Sequence, residues 1–535
     1  MQSFLSKISQ LNTLYVGTIF FVLILFCYGN TLSNGLFFDD EQFIYNNTYV
    51  KNFDLGGILG KSLSSESGQI SNYYRPLLFL GFSIEYQLFK DAGIIYHFDS
   101  FTLHFLGSLL LFLLLKKLFQ NQLLAFVTSL LFLIHPIQTE AVAYASGRGD
   151  PLSFVFIILT LLLVISKNKT HHLISYLSLI AALLSKEIAL MTPGLIFIVL
   201  LFSKKSLSRH ALYKSMVQTL PFIFITGGYF LLRITVLNFN NTLNFYNSQN
   251  VYSSSLLVRM YTFFTILPSY LGLLIFPKEL FMERDSAIKI FTYPVLKTII
   301  SFGSVVIFFI LSLWKRKQYP ILLFSLLWIG IAFIPASGII PINGIFYEHF
   351  LYFPSVGFFL LFSYGIVKLL EKLSSTFQSV VVILICCIVL TLCIRTIARN
   401  VEWHDAITFY NQTLSHVQSP RAYNNLAMAY AETGDNKDAI TAYKKAISLS
   451  DAYPESHYNL GNAYASLHDI QNAETEYKNA LRISPSFYLS YIKLYSLYKA
   501  TNNQSGLNFV YESLTNLGKV NQQFLLLRDQ LKAQP

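Results

Sequence analysis

The sequence predicts an all-α fold: a polytopic transmembrane helical bundle followed by an α-solenoid of tetratricopeptide repeats. Three observations predict it. Of 535 residues, 53% are hydrophobic and only 13% charged, where an ordinary soluble domain carries about 25% charge. Apolar stretches close to the ~20 residues that a bilayer-spanning helix needs recur as far as Ile397. Beyond that point aromatic and small residues return at a period of 34.

With 48 Phe, 34 Tyr and a mean hydropathy of +0.49, the chain does not read as a soluble enzyme, a disordered protein or a disulfide scaffold. A net charge of +11 does not imply nucleic acid, because no basic patch falls on a soluble segment. In a membrane protein Lys and Arg mark cytoplasmic loops. Cys27, Cys386, Cys387 and Cys393 all lie in apolar runs, without metal or redox spacing, and are expected to be buried.

The expected crossings are 12–30, 98–116, 122–138, 151–166, 172–185, 188–203, 215–236, 292–314, 319–335, 350–370 and 378–397, about eleven in all. The first is expected to be retained as a helix or signal anchor, since no small-residue cleavage site follows it. Basic clusters at Lys116–Lys117, Lys167–Lys169, Lys204–Lys214, Lys315–Lys317 and Lys368–Lys372 are placed in the cytoplasm. A crossing at Leu256–Phe276 would put Lys315–Lys317 outside, so that stretch, broken by Arg259 and Pro268, is expected to be interfacial or re-entrant. The N-terminus is then cytoplasmic and the tail extracytoplasmic, in a multi-pass protein of a bacterial inner membrane or the endoplasmic reticulum. The expected domains are 1–397, membrane-embedded with a large outer loop at 31–97, and 398–535.

In the tail, Tyr423, Leu426, Ala427, Tyr430, Ala439, Tyr443 and Ala446 recur 34 residues later as His457, Leu460, Gly461, Tyr464, Ala473, Tyr477 and Ala480, with Pro485 closing the unit. That is the tetratricopeptide template. Tyr491, Leu494, Tyr498 and Tyr511 continue it in a degenerate third unit, and Asp405–Leu414 resembles the second helix of a decayed one.

Polar groups collect at the outer ends of the predicted helices. Asp39–Asp40 follow Phe37–Phe38; a carboxylate there can act as a general base against apolar walls, or simply solvate a loop. His135-Pro136 should end or kink the third crossing. Glu140 and Arg148 after it are expensive at the bilayer edge unless paired or functional. Arg148 presents a donor fork suited to phosphate, or pairs with Asp150 in a structural turn. Lys186–Glu187 form a local ion pair or serve the site. Arg75, opening an apolar stretch too short to span, binds an anion or snorkels to headgroups. Glu348–His349 precede a helix start, where an acid also suits the helix dipole. No ligand cluster implies a metal, although Asp39–Asp40 could hold a divalent ion.

Together, Phe38-Asp39-Asp40, Tyr74-Arg75-Pro76-Leu77, His135-Pro136-x-x-Thr139-Glu140-Ala141-Val142, Gly147-Arg148-x-Asp150, Lys186-Glu187 and Leu351-Tyr352-x-Pro354-Ser355 resemble the transmembrane and tetratricopeptide-repeat O-mannosyltransferases and their bacterial relatives, of the C-type glycosyltransferase superfamily. The resemblance covers essentially the whole chain. His349 departs from the pattern, standing where relatives often carry arginine.

The resemblance implies an inverting glycosyltransferase using a polyprenyl- or dolichyl-phosphate sugar, typically mannose, on the extracytoplasmic face. Asp39 and Asp40 match the superfamily's acidic motif, with Asp39 favoured as base. Asp39, Asp40 and Glu140 are then the expected catalytic set. Arg148, Arg75, Lys186 and His349 are the expected donor-phosphate contacts, and His135, Asp150, Glu187 and Glu348 the supporting residues. The repeats would dock acceptor polypeptide, presenting Ser or Thr, or a partner protein. A lipid or solute transporter is the rival, but transporters gather ionisable residues near the bilayer midplane. A repeat scaffold on a membrane anchor needs neither so many crossings nor a polar outer loop.

Overall fold

Apolar stretches become helices where Asn, Ser or Pro starts them. The computed structural model describes residues 12–60, 73–204, 207–237, 251–339, 342 and 344–533, and among these all regular structure is helical. The chain divides into two units, Met1–Asp405 and Ala406–Pro535.

In the first unit, besides short helices at Thr48–Lys51, Leu55–Gly60 and Val251–Ser254, the helices are α1 (Thr13–Tyr28), α2 (Pro76–Phe89), α3 (Gly93–Phe119), α4 (Gln122–Ile134), α5 (Thr139–Ala143), α6 (Gly149–Val164) and α7 (Lys169–Ser185). They continue with α8 (Thr192–Ser203), α9 (Arg209–Thr235), α10 (Leu256–Ile275), α11 (Leu296–Trp314), α12 (Pro320–Phe333), α13 (Pro354–Lys372) and α14 (Ser375–Val401). Side chains of Asn12, Asn121, Asn168, Ser208 and Ser255 accept backbone N–H groups at the starts of α1, α4, α7, α9 and α10, satisfying donors that a helix end leaves open. Proline opens α2, α12 and α13, where its missing N–H costs nothing.

Eight helices among the described residues are long and apolar enough to cross a membrane, or nine if the bent pair at α4–α5 is one span. That pair bends by 52° at Pro136, as the proline predicts. Three of the expected crossings are shorter. Helix α7 has 17 residues and α12 has 14; at about 1.5 Å per residue they fall short of the ~30 Å hydrocarbon core. The third, 188–203, lies within the short apolar helix Glu187–Ser203. Conversely, the stretch Leu256–Phe276, expected to be interfacial or re-entrant, forms a continuous 20-residue helix of spanning character, Leu256–Ile275.

The core of this unit is aromatic. Phe132 stacks on Phe154 at 4.7 Å, and Tyr352 meets both edge-on. His104 joins them, its Nδ1 2.7 Å from the Tyr352 hydroxyl and its Nε2 3.1 Å from the Leu133 carbonyl. On α11 and α14 the apolar surface faces outward instead: Phe308 is 62% exposed and Leu384 56%. That is what a lipid-facing helix requires. The same outward face carries Cys386 and Cys387, which are exposed, while Cys27 and Cys393 are buried. The expectation that all four are buried is corrected for that reason.

The second unit stacks α15 (Ala406–His416), α16 (Pro420–Glu432), α17 (Asn436–Leu449), α18 (Pro454–Ser466), α19 (Ile470–Ile483), α20 (Tyr488–Ala500), α21 (Gln504–Gly518) and α22 (Gln523–Ala533). Helices α16, α18 and α20 start 34 residues apart, as do α17, α19 and α21, which is the tetratricopeptide period. Ala427, Ala439, Tyr443, Leu460 and Ala463 fill one inter-repeat core. The third unit is a full helix pair, closed by α22 through Leu531 against Val510 and Leu514.

Candidate active site

The acidic pair is placed by a pinned loop. After α1 the chain turns through Gly29–Ser33, where Asn30 Nδ2 donates to the Ile397 carbonyl, and the Gly35 N–H then donates to the His404 carbonyl. Phe37 packs on Trp403, and Phe38 lies 6.0 Å from Tyr144, which itself stacks on Trp403 at 5.3 Å. Phe38 holds φ +62°. A non-glycine residue in this left-handed region costs roughly 1–2 kcal/mol, and such strain collects at functional sites. It turns the next two residues toward the corner at 144–148.

Over a hundred residues of sequence close there to hydrogen-bond distance. The Asp39 N–H donates to the Tyr144 hydroxyl at 3.1 Å. Asp40 is 1% exposed, and its Oδ1 accepts from both the Ser146 N–H, at 2.7 Å, and the Ser146 hydroxyl, at 2.5 Å. Burial pushes the Asp40 carboxyl up to about 7; Ser146 and Arg148 pull it back, while neighbouring Asp39 adds to the rise. Asp39 is only half-buried.

The corner itself is built by close packing. The first turn after α4 is capped by His135, whose Nδ1 accepts from the Ile137 N–H and whose Nε2 lies 3.2 Å from the Leu274 carbonyl. Both ring nitrogens are thus engaged with backbone. Gly147 lies flat on α5, where a Cβ would stand 2.7 Å from the Glu140 carbonyl oxygen. Arg148 is 3% exposed, and its two terminal nitrogens meet the two carboxylate oxygens of Glu85 on α2, Nη2 to Oε2 at 2.9 Å. The guanidinium also covers the Phe82 ring at 4.5 Å. Asp150 pairs with Lys186 at 2.6 Å, not with Arg148.

A cationic group adjoins this corner. Arg75 Nε donates to Glu187 at 2.9 Å and its guanidinium lies over Tyr73 at 4.9 Å. Glu187 also accepts from the Tyr74 N–H at 3.0 Å and stands 3.9 Å from Arg233 of α9. Lys186 lies within electrostatic reach of Arg75 and Glu187, and Tyr73 within reach of Arg75 and Asp39. Arg75 and Lys186 retain 14% and 15% side-chain exposure.

Glu140 and Glu348 form a second group. Glu140 accepts from the His349 N–H at 3.0 Å, and its other oxygen lies 2.6 Å from His349 Nδ1. Glu348 lies 3.2 Å from Arg399 and 3.7 Å from Arg284. The Glu140 carboxylate therefore points to His349, whereas its carbonyl supports Gly147. Among the described residues no group of three or more His, Cys, Asp or Glu is arranged to hold a metal ion.

Sequence reasoning missed Glu85, Ser146, Arg233, Arg284 and Arg399. Glu85 had a signal: an acid inside an apolar helix is costly unless paired. Arg399 and Arg233 had the same one, near the ends of long apolar helices. Ser146 carried none.

Comparisons with known proteins concern the chain as a whole and its repeats. The TPR repeat family matches residues 427–468 and the tetratricopeptide repeat family residues 454–487. A protein O-mannosyl-transferase of Caenorhabditis elegans is 30% identical, over 80% of this chain and 62% of its own length. Protein O-mannosyl-transferase TMTC3 of Homo sapiens is 27% identical, over 78% of this chain and 50% of its own. Protein O-mannosyl-transferase TMTC1 of Homo sapiens is 25% identical, over 79% and 54%. The chain thus spans half to three fifths of the length of these relatives.

Proposed function

We propose that this chain, a relative of the transmembrane and tetratricopeptide-repeat O-mannosyltransferases, is a membrane glycosyltransferase acting on proteins. More finely, it moves mannose from a polyprenyl- or dolichyl-phosphate donor to a Ser or Thr hydroxyl on the extracytoplasmic face. Unit Met1–Asp405 carries the chemistry and unit Ala406–Pro535 engages the acceptor or a partner. The N-terminus is cytoplasmic and the repeats extracytoplasmic.

One observation carries this reading: the acidic pair is clasped to the 144–148 corner, and just beyond that corner Asp150 pairs with Lys186, which lies within electrostatic reach of Arg75. Asp40 spends one carboxylate oxygen on Ser146 and is buried, so it orients the loop. Half-buried Asp39 takes the proton of the acceptor hydroxyl. The resulting oxygen attacks the anomeric carbon from the side opposite the phosphate, whose bond to the sugar breaks with inversion. Arg75 and Lys186 hold the departing phosphate by charge-assisted hydrogen bonds. Glu140 and His349 act as a supporting pair, and Glu348, held by Arg399 and Arg284, braces His349 from the neighbouring position.

A transporter is less well supported. Asp39, Asp40, Arg75 and Lys186 all lie outside the helices of spanning character, whereas transporters gather ionisable residues within such helices near the bilayer midplane. The test is transfer of labelled mannose from a polyprenyl phosphate to a Ser/Thr peptide by purified protein. Export or flipping of the intact lipid without transfer would favour the transporter.

A further inference from the structure

Arg148 has the planar fork expected of a phosphate ligand, yet both terminal nitrogens of that fork are taken, which leaves only its buried Nε without a hydrogen-bond partner among the described residues. Both terminal nitrogens meet Glu85, which is 6% exposed, and the guanidinium face is covered by Phe82 and by Tyr96 at 5.8 Å. Breaking a buried ion pair from one side is strongly destabilising, and a donor phosphate taking Arg148 would strand the Glu85 carboxylate. The turn Ala145–Arg148 that ends in Arg148 is the one whose Ser146 clasps Asp40. Helix α2 thus reaches the acidic pair through one side chain and one turn.

We propose that Glu85 is a positioning residue for the transfer reaction, holding Arg148 as a fixed cationic post behind the 145–148 turn so that Arg148 serves the acidic pair rather than the donor phosphate. The inference rests on the glycosyltransferase reading for its chemistry, but not for its geometry.

The charges around the post are few enough to assign. Asp40 faces Asp39 and Arg148, and Tyr45 and Tyr144 lie within reach of it. Arg148 faces Glu85 and Asp40, with His97 and Tyr96 of α3 within reach. Glu85 faces Arg148, Asp99 of α3, which is also its hydrogen-bond partner, and Tyr96. Burial raises the Glu85 carboxyl to about 7; Arg148 pulls it down, and Asp99 pushes it further up. Arg148 favours the ionised form of Asp40. Glu85, as the counter-charge to Arg148, weakens that help. Removing the Glu85 charge makes Asp40 more acidic, and removing the Arg148 charge makes it less so.

Two readouts separate this proposal from the reading beneath it. The first needs no activity: deuterium uptake of peptides covering 144–149, in the full chain in lipid nanodiscs, measured against pH with intrinsic exchange divided out. The Ser146 N–H donates directly to Asp40, so its protection follows the Asp40 charge. The midpoint for loss of protection should move down by about one pH unit in Glu85→Gln and up by about as much in Arg148→Gln. An unmoved midpoint, or movement in the same direction for both, overturns the proposal. Should Glu85→Gln fail to fold, Arg148→Lys is read instead. It keeps the charge and loses the fork, so protection should fall at every pH with the midpoint unmoved; unchanged protection overturns the proposal. The second readout is the kcat-against-pH profile for mannosyl transfer. Its acid limb should move with the exchange midpoint while the donor KM stays near wild type. A rise in donor KM alone on Arg148→Lys would make Arg148 a phosphate ligand and overturn the proposal. A wild-type chain that transfers nothing would count against the glycosyltransferase reading, and the exchange result would still decide the role of Glu85.

Discussion

Asp40→Asn is expected to stabilise the protein while impairing it, and the size of the effect follows from burial. The Asp40 carboxyl is pushed up to about 7 in the folded chain from an ordinary 3.8, chiefly by desolvation. Between those values the folded state keeps a proton that the unfolded state has released. The stability Asp40 contributes is therefore complete below about pH 4, declines as pH rises, and is gone above about pH 7. Each pH unit in that window corresponds to about 1.4 kcal/mol. From pH 5 to pH 7 the decline is on the order of 3 kcal/mol. Asparagine keeps the oxygen that accepts from Ser146 but has no proton to lose. Glu85, also raised to about 7, titrates in both proteins, so only its coupling to Asp40 through Arg148 enters the difference. Unfolding followed by tryptophan fluorescence in micelles is the assay, because Trp403 stacks on Tyr144 at the site. The advantage of Asp40→Asn over wild type should grow from pH 5 to pH 8 by a few kcal/mol. Parallel pH curves for the two proteins would refute the reasoning.

Asp39→Asn should lower kcat by about 10²–10⁴ with the donor KM nearly unchanged, as loss of a general base does; Michaelis kinetics would check it. Glu187→Ala should raise the donor KM and destabilise by about 3–5 kcal/mol, since it removes the carboxylate that pairs with Arg75; mannosyl-donor titration and thermal unfolding read both effects. Gly147→Ala should cost about 1–3 kcal/mol, because its Cβ would stand 2.7 Å from the Glu140 carbonyl and a backbone atom must give way; the loss should appear as lowered thermal stability before lowered donor binding. A fragment of residues 406–535 should be soluble and helical by circular dichroism, since a solenoid makes nearest-neighbour contacts.

The fold was legible where physical periods are strong. The 34-residue repeat placed α16 to α21, because small residues such as Gly461 must face a ring such as Tyr477. Apolar length located the helices but not which of them span. Helix α10 carries Arg259 and Pro268, yet stays continuous, and Arg259 is satisfied by donating to the carbonyls of Gly338, Tyr252 and Ser253. Gly338, far along the chain, supplied one of those partners, and Tyr252 and Ser253, just before the helix, the other two. In the site, the acidic pair and the 135–150 corner could be named from residue type alone, but not their partners. Arg148 next to Asp150 invites a local pair, whereas the structure gives Arg148 to Glu85 and Asp150 to Lys186. Helix α2 decides this, and its distance in sequence hides it.

The most direct test of the central claim is transfer itself. Purified protein is incubated with isotopically labelled polyprenyl-phosphate mannose and a Ser/Thr peptide, and the product is analysed by mass spectrometry and NMR. The account predicts a peptide heavier by one hexose, linked through a hydroxyl with inverted anomeric configuration, and nearly absent with Asp39→Asn. Retained configuration, or equal product from Asp39→Asn, would contradict it.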